Sequence, residues 1–530
     1  MVQKSDVFRG FGCIGSCSRA AFCVSTNMTD SATATTTTAA VREQPTYDVE
    51  RKIFQSPFKA KKARENAMLP RLILDQPHFD PDGPDAARAA VIDGHTGESY
   101  RFGELRELTA RCAAALAARG FKAGHNLTMA LPNVREHAVA TFAALSLGGT
   151  VSSVNPLSSS DEFARYLTVS GAKWVVTVPD GFLRGLQPMT NLLDCEARPS
   201  LRRIFVVGDN AGDHASRDAS GLIEPFGRLL ESADSAAPAA LPVPDSTSAS
   251  SLAFIMFSSG TSGQPKGVRL TQRSVCGNLA QLDAVETTSK EDTLLAFLPF
   301  ANAFGLLYAL VHSLFKGATV VTMPRFKPDA CLELVQKHQV TRMPAAPPVI
   351  KLFATHPSVS RYDLSSLKMV SSGGSRLEPA HRDAMMARWA KKGWNDMRIR
   401  QGFGMTELSP VMCINADEDA AALAAATKAA GRVKPPTGGV KPVSESVGIL
   451  LPNTEVRVVH LESGDSLGPN EEGEIWVRGP QVMAGYLLTP QEEADGGAPS
   501  PVDEDGWLRT GDIGYFNEAG YYFITDRLKE

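Results

Sequence analysis

The sequence predicts an α/β protein with mainly parallel sheets and a β-rich unit near its C-terminus. Three observations predict it. From about residue 86, strand-like apolar runs alternate with amphipathic helical stretches. A second alternating stretch runs from residue 251 to about 415. Beyond residue 442 the texture changes to short alternating strands with turn signals and no helix. A chain of 530 residues is too long for one hydrophobic core, so several subdomains are expected.

Each element has a local reason. Residues 1–45 contain the low-complexity run "SATATTTTAA" and are expected to be a disordered extension. Arg9 and Arg19 give that stretch a weak organellar presequence character, but Asp6 and the lack of a clean apolar run argue against a secretory signal. "FGELRELTARCAAALAARG" places Leu105, Leu108, Cys112 and Leu116 at helical spacing, and Gly120 can end that helix. "NLTMAL" reads as a strand. The next helix, in "NVREHAVATFAALSLGG", has Asn133 as expected N-cap with Glu136 three residues on. "TVSSV", a polar helix over 160–170, "KWVVTV" and "RIFVVG" continue the alternation. Residues 232–250 have linker composition, and "LAFIMF" is a short buried strand. "AFGLLYALVHSLFKGATVVTM" is interrupted by His312 and Lys316, so it reads as a buried helix followed by a strand rather than a membrane span. Residues 416–442 look like an exposed insertion.

Composition excludes several classes. A formal net charge of -4 gives no electrostatic case for nucleic acid or an anionic membrane. Eight cysteines do not make a disulfide scaffold; Cys13, Cys17 and Cys23 cluster, but without a nearby histidine or a zinc spacing. "GDSLG", Gly464 to Gly468, matches the G-x-S-x-G of a serine hydrolase. It lies between two strand patterns, whereas a nucleophile elbow joins strand to helix, so a hairpin loop is expected.

"FSSGTSGQPKGVRL", residues 257–270, follows the strand "LAFIMF" directly. A Gly/Ser/Thr loop after a strand can cradle phosphate, because backbone N–H groups and hydroxyls converge and glycine permits close approach. The Walker pattern fails, since Lys266 follows Pro265 and precedes Gly267. The stretch does resemble the signature of the acyl-adenylate-forming superfamily. Ser258, Ser259, Gly260, Thr261, Ser262, Gly263 and Lys266 stand at its positions. "QGFGMTELSP", "GWLRTGDIGYF" and "SSGGSRL" resemble three further signatures of that family. Texture such as "LGPNEEGEIWVRGPQVMAGYL" and "DRLKE" resembles the 4-coumarate:CoA ligase and beetle luciferase branch most.

The resemblance implies two stacked doubly wound α/β subdomains, 46–250 and 251–430, then a small distorted β-barrel over 431–525 and a hinge at 526–530. It implies an ATP-dependent carboxylate–CoA ligase acting on an aromatic or a medium- to long-chain acid. ATP, Mg²⁺ and coenzyme A would be its cofactors, with no nucleic-acid partner. Thr406, Glu407 and Lys266 would be catalytic, with Glu407 holding Mg²⁺. Ser375, Gln401, Gly402, Phe403, Gly404, Asp512 and Arg527 would join the loop in binding ATP and AMP. Asn302, Phe304, Gly374, Ser375, Gln401 and Gly402 would line the acyl pocket. Arg325 would contact CoA.

Two departures bear on this. Asn302 stands where the family has histidine, and it cannot carry that residue's charge. The chain ends at "FITDRLKE", where the family has a hinge, here Asp526 and Lys529, leading into a lid. The lid, with its adenylation lysine and half of the CoA site, is expected to be absent from the sequence as written. An incomplete gene model or fragment is expected over a natural lidless protein. The alternatives are a non-catalytic nucleotide- or acyl-binding protein and a luciferase-like oxygenase. The expected compartment is intracellular: cytoplasmic, peroxisomal or mitochondrial. The sequence leaves the acid and the oligomeric state open.

Overall fold

The computed structural model describes residues 46–58, 67–182, 187–208, 211–231, 241, 243–258, 265–415, 445–489, 492 and 500–528. The expected extension 1–45 with its cysteine cluster, the loop residues 259–264, the insertion 416–442 and Lys529 lie outside the described residues.

Two large sheets carry the α/β pattern. The first has eight strands, in the order Tyr486–Leu487, Lys266–Thr271, Leu252–Ser258, Thr150–Ser153, Asn126–Ala130, Trp174–Thr177, Arg203–Val206 and Ile223–Pro225. Its six strands from Leu252 onward in that order are parallel, and the two at the other edge are antiparallel. The second sheet has nine strands with a parallel centre: Arg398–Gly404, Met369–Ser372, Arg342–Ala345, Thr293–Ala296, Thr319–Thr322 and Ala89–Asp93. Its outer strands Val411–Ile414, Ile449–Leu450 and Ser99–Arg101 are antiparallel.

Side chains alternate across each strand, so neighbours serve different cores. Leu294, Ala296 and Val320 enter the main core, which also takes Leu127, Met129 and Val151 from the first sheet. Leu295 and Val321 point the other way, under the helices Pro328–Lys337, Pro347–Thr355 and Pro379–Lys391. Helix Glu136–Ser146 is buried from His137 to its last residue. Only a helix covered on all sides can be apolar all round, and this one lies between the sheets. Ser153 donates its hydroxyl to the carbonyl of Phe300 at 2.8 Å, and His137 meets the Phe300 ring edge-on.

Asn133 does not cap this helix. The preceding residue is Arg135, and the Asn133 amide instead donates to the carbonyls of Ala296 and Leu298 while its oxygen accepts from Phe300 N–H. A buried asparagine that satisfies three groups of a distant turn gains more than a local cap offers.

The sheets also cross the sequence boundary expected at 250. Ala89–Asp93 and Ser99–Arg101 belong to the second sheet, and Leu252–Ser258 and Lys266–Thr271 to the first. Local periodicity shows that a strand exists but not which sheet it joins.

The third sheet is antiparallel: Thr46–Asp48, Ile53–Gln55, Glu455–Val459, Gly473–Arg478, Leu508–Phe516 and Tyr522–Arg527. The expected barrel is not closed, because no ladder among the described residues joins its first strand to its last. Tyr522 on the last strand pairs with Val447 and Gly448 instead, using both its N–H and its carbonyl. "GDSLG" falls between the paired strands Glu455–Val459 and Gly473–Arg478, as a hairpin loop should.

Candidate active site

The strand Arg398–Gly404 runs out of the second sheet into a short 3-10 turn, Thr406–Leu408. Only glycine fits at Gly404, where a Cβ would lie 2.0 Å from the carbonyl oxygen of Pro410. That close approach turns the chain so that Glu407 points inward, and the residue is 4% exposed. Its backbone carbonyl accepts from Met483 N–H at 2.9 Å.

Two strands bring donors to the Glu407 carboxylate. Ser258, at the end of its strand, donates its hydroxyl to Oε1 at 3.2 Å. Tyr486 donates to the same oxygen at 2.8 Å. Lys266 places its ammonium 5.1 Å from the centre of the Tyr486 ring, within cation–π range. Burial, then the charge of Glu407 and its hydrogen bond, push the Tyr486 phenol well above its ordinary range. The phenol therefore stays a donor. Beside the loop, Arg165 donates to the carbonyl of Pro265 at 3.2 Å and also pairs with Glu492. Glu407, Ser258 and Lys266 are thus brought together. Thr406 is half-buried on the same turn.

A second group forms around the strand ends 372 and 401. Gly374 has φ +88°, a left-handed conformation that glycine adopts without strain, and Ser375 follows it on the surface. Gln401 accepts from Leu377 N–H at 3.1 Å, so it braces this loop. A Cβ on Gly373 would lie 3.1 Å from the Phe304 ring, so that ring packs against the loop. Gly402 and Phe403 are half-buried on the same strand. Asn302 lies exposed just before the π-helix Phe304–His312, and its carbonyl accepts from Leu306 N–H at 2.9 Å.

Asp512 and Arg527 meet on the third sheet, where Arg527 Nε donates to Asp512 Oδ1 at 2.9 Å. Asp526 is exposed on the same strand, and Arg325 is exposed beyond the strand Thr319–Thr322.

Sequence reasoning missed the layer behind Phe304 and Gln401. Glu286, its side chain fully buried, ion-pairs with Arg400, accepts a hydrogen bond from the Tyr308 hydroxyl and takes Arg342 at 3.6 Å. Arg400 also bonds Tyr308 at 2.7 Å and Ser371 at 3.1 Å. Burial alone would push Glu286 up, but the charge and hydrogen bond of Arg400 outweigh it and hold the carboxyl well below its usual range. The position of Arg400 beside Gln401 was the available signal. Tyr486 was missed too, although it sits in the quoted "QVMAGYL".

Among the described residues no group of three His, Cys, Asp or Glu side chains could hold a metal alone. Glu407 does fit a shared one. Both hydroxyls bond its Oε1, and no described residue donates to Oε2. One hard oxygen is what Mg²⁺ takes from a protein when phosphate and water supply the rest.

Residues 83–487 match the AMP-binding enzyme family. The chain belongs to that family. Among AMP-binding enzymes it is 34% identical over 450 residues to 4-coumarate–CoA ligase 5 of Oryza sativa subsp. japonica, covering 84% of this chain and 74% of that one. It is 32% identical over 449 residues to a 4-coumarate–CoA ligase of Pinus taeda, with the same coverage. The fold is that of a luciferase-like enzyme from the nonluminescent Zophobas morio mealworm, with TM-score 0.72 and 21% identity over 90% of this chain and 99% of that one. It is likewise that of a long-chain-fatty-acid–CoA ligase from Archaeoglobus fulgidus, with TM-score 0.69 and 23% identity over 89% and 86%. No helix among the described residues is long and apolar enough to cross a membrane.

Proposed function

We propose that this AMP-binding enzyme is an ATP-dependent carboxylate–CoA ligase. The observation that carries the proposal is a buried Glu407 that accepts from both Ser258 and Tyr486, with Lys266 over the Tyr486 ring. The names of its plant relatives support a CoA ligase, and an aromatic or medium- to long-chain acid is the proposed substrate.

In the first half-reaction the substrate carboxylate attacks the α-phosphorus of ATP, and pyrophosphate leaves. In the second, the thiolate of coenzyme A attacks the acyl carbonyl, and AMP leaves. Both steps gather negative charge, so the protein's part is positioning and electrostatic stabilisation. Lys266 and the hydroxyls of the loop would hold the β- and γ-phosphates. Thr406 would bond phosphate, Asp512 the ribose hydroxyls, and Phe403 would stack on adenine. Phe304 and the 373–375 loop would shape the acyl pocket. Bound Mg²⁺, held by Glu407, would neutralise phosphate charge.

The test is acid-dependent exchange of radiolabelled pyrophosphate into ATP, run on the complete protein purified from its own cells over a panel of aromatic and aliphatic acids, with the variants made in that same protein. Exchange with one class, lost in Glu407→Gln and in Asp512→Ala, is the expected result. Exchange at wild-type rates in either variant would remove that residue from the site, and no exchange with any acid would count against the ligase reading.

A further inference from the structure

We propose that Tyr486 is a positioning residue, orienting the Glu407 carboxylate for Mg²⁺ and the Lys266 ammonium for phosphate. The inference rests on the ligase reading of this site.

Tyr486 stands on a two-residue strand, Tyr486–Leu487, laid against the edge strand Lys266–Thr271. In that register it lies opposite Val268, two residues beyond Lys266. Its side chain does two separable things. The hydroxyl donates to Glu407 Oε1 at 2.8 Å, and the ring face carries the Lys266 ammonium at 5.1 Å. Ser258 occupies the same carboxylate oxygen at 3.2 Å, so Oε1 is held from two sides. The backbone is held as well, by Met483 N–H on the Glu407 carbonyl. A carboxylate fixed through one oxygen presents the other in a defined direction. Outer-shell hydrogen bonds of this kind set the affinity of a metal site, and losing one typically costs about 10–100-fold. The ring contributes differently: it attracts the ammonium without neutralising it, leaving Lys266 charged for phosphate.

The two contacts predict different losses. Calorimetric titration of the full chain with ATP, at a series of MgCl₂ concentrations and without Mg²⁺, separates them. Tyr486→Phe keeps the ring and removes the hydroxyl. It should bind Mg²⁺-free ATP within about twofold of wild type, while the Mg²⁺ concentration at half-effect rises roughly 10–100-fold. Tyr486→Leu should weaken Mg²⁺-free ATP binding as well. A Tyr486→Phe variant with wild-type Mg²⁺ dependence overturns the proposal. So does one that loses Mg²⁺-free and Mg²⁺-bound ATP equally, the mark of a merely structural tyrosine. Glu407→Gln tells the two readings apart. If it loses its Mg²⁺ dependence while Tyr486→Phe does not, only the role of Tyr486 falls. If Glu407→Gln keeps that dependence, or wild type binds no ATP, the site reading falls and this proposal with it.

Discussion

Glu286 shows what one buried side chain controls. It joins Arg400 and Arg342, from two strands of the second sheet, to Tyr308 on the π-helix, and so it fixes the wall behind Phe304 and Gln401. Removing one partner of a buried pair strands the other charge. Glu286→Ala should therefore cost roughly 3–5 kcal/mol in urea unfolding. His312, one turn beyond Tyr308 and stacked on it, has both ring nitrogens buried without a hydrogen bond. Burial lowers its pKa to about 4, against the opposing pull of Glu286. His137 is lowered to about 3, also by burial. The fold refuses a proton that the unfolded chain accepts, so this contribution is complete above the ordinary value of 6.5 and is lost as pH falls toward 4. Glu286, held below its ordinary 4.5, adds a further loss below that value, as paired carboxylates do. Denaturation midpoints should decline from pH 6.5 downward, and His312→Leu should flatten the part of that slope above pH 4.

The π-helix Phe304–His312 is the element whose geometry matters most to the proposed acyl pocket. A Cβ on Gly305 would lie 2.2 Å from the carbonyl oxygen of Pro299, so the helix starts where only glycine can start it. Gly305→Ala should push Phe304 off the 373–375 loop and destabilise the fold by about 1–3 kcal/mol. Its signature would be a larger change in acid KM than in ATP KM. The sequence made this element legible as a buried helix, because its apolar run is continuous. It could not show the wider π turn, which depends on hydrogen-bond spacing rather than on residue type. The same limit explains Asn133. Its place before a helix suggests a cap, while its real partners lie on a turn more than a hundred residues away. Ser159 and Glu162 do form a capping box, a signal that is local because both partners are near in sequence. The stretch 257–270, Glu407 and Asp512 stood out in the sequence as motifs. Glu286 is a lone acid at a helix end, and its meaning lies in Arg400 across the fold, so the only signal was Arg400 itself, next to Gln401 in sequence.

At the scale of the molecule, the sheets are woven from distant segments. The strand Leu252–Ser258 lies inside the first sheet, between Thr150–Ser153 and Lys266–Thr271. Residues 46–250 expressed alone would leave that place empty and the apolar face of helix Glu136–Ser146 uncovered. Such a fragment should lack the dispersed amide spectrum of a folded domain, and a dispersed spectrum would restore the boundary at 250. The last strand to join the first sheet is Tyr486–Leu487, and it seals the edge next to Lys266. During synthesis on a ribosome, that edge emerges long before its partner. The nascent chain must carry an open strand, Lys266–Thr271, through the making of everything between. Open edges recruit other strands. This stretch is therefore where a chaperone would hold the growing polypeptide, and where the protein would go astray first without one.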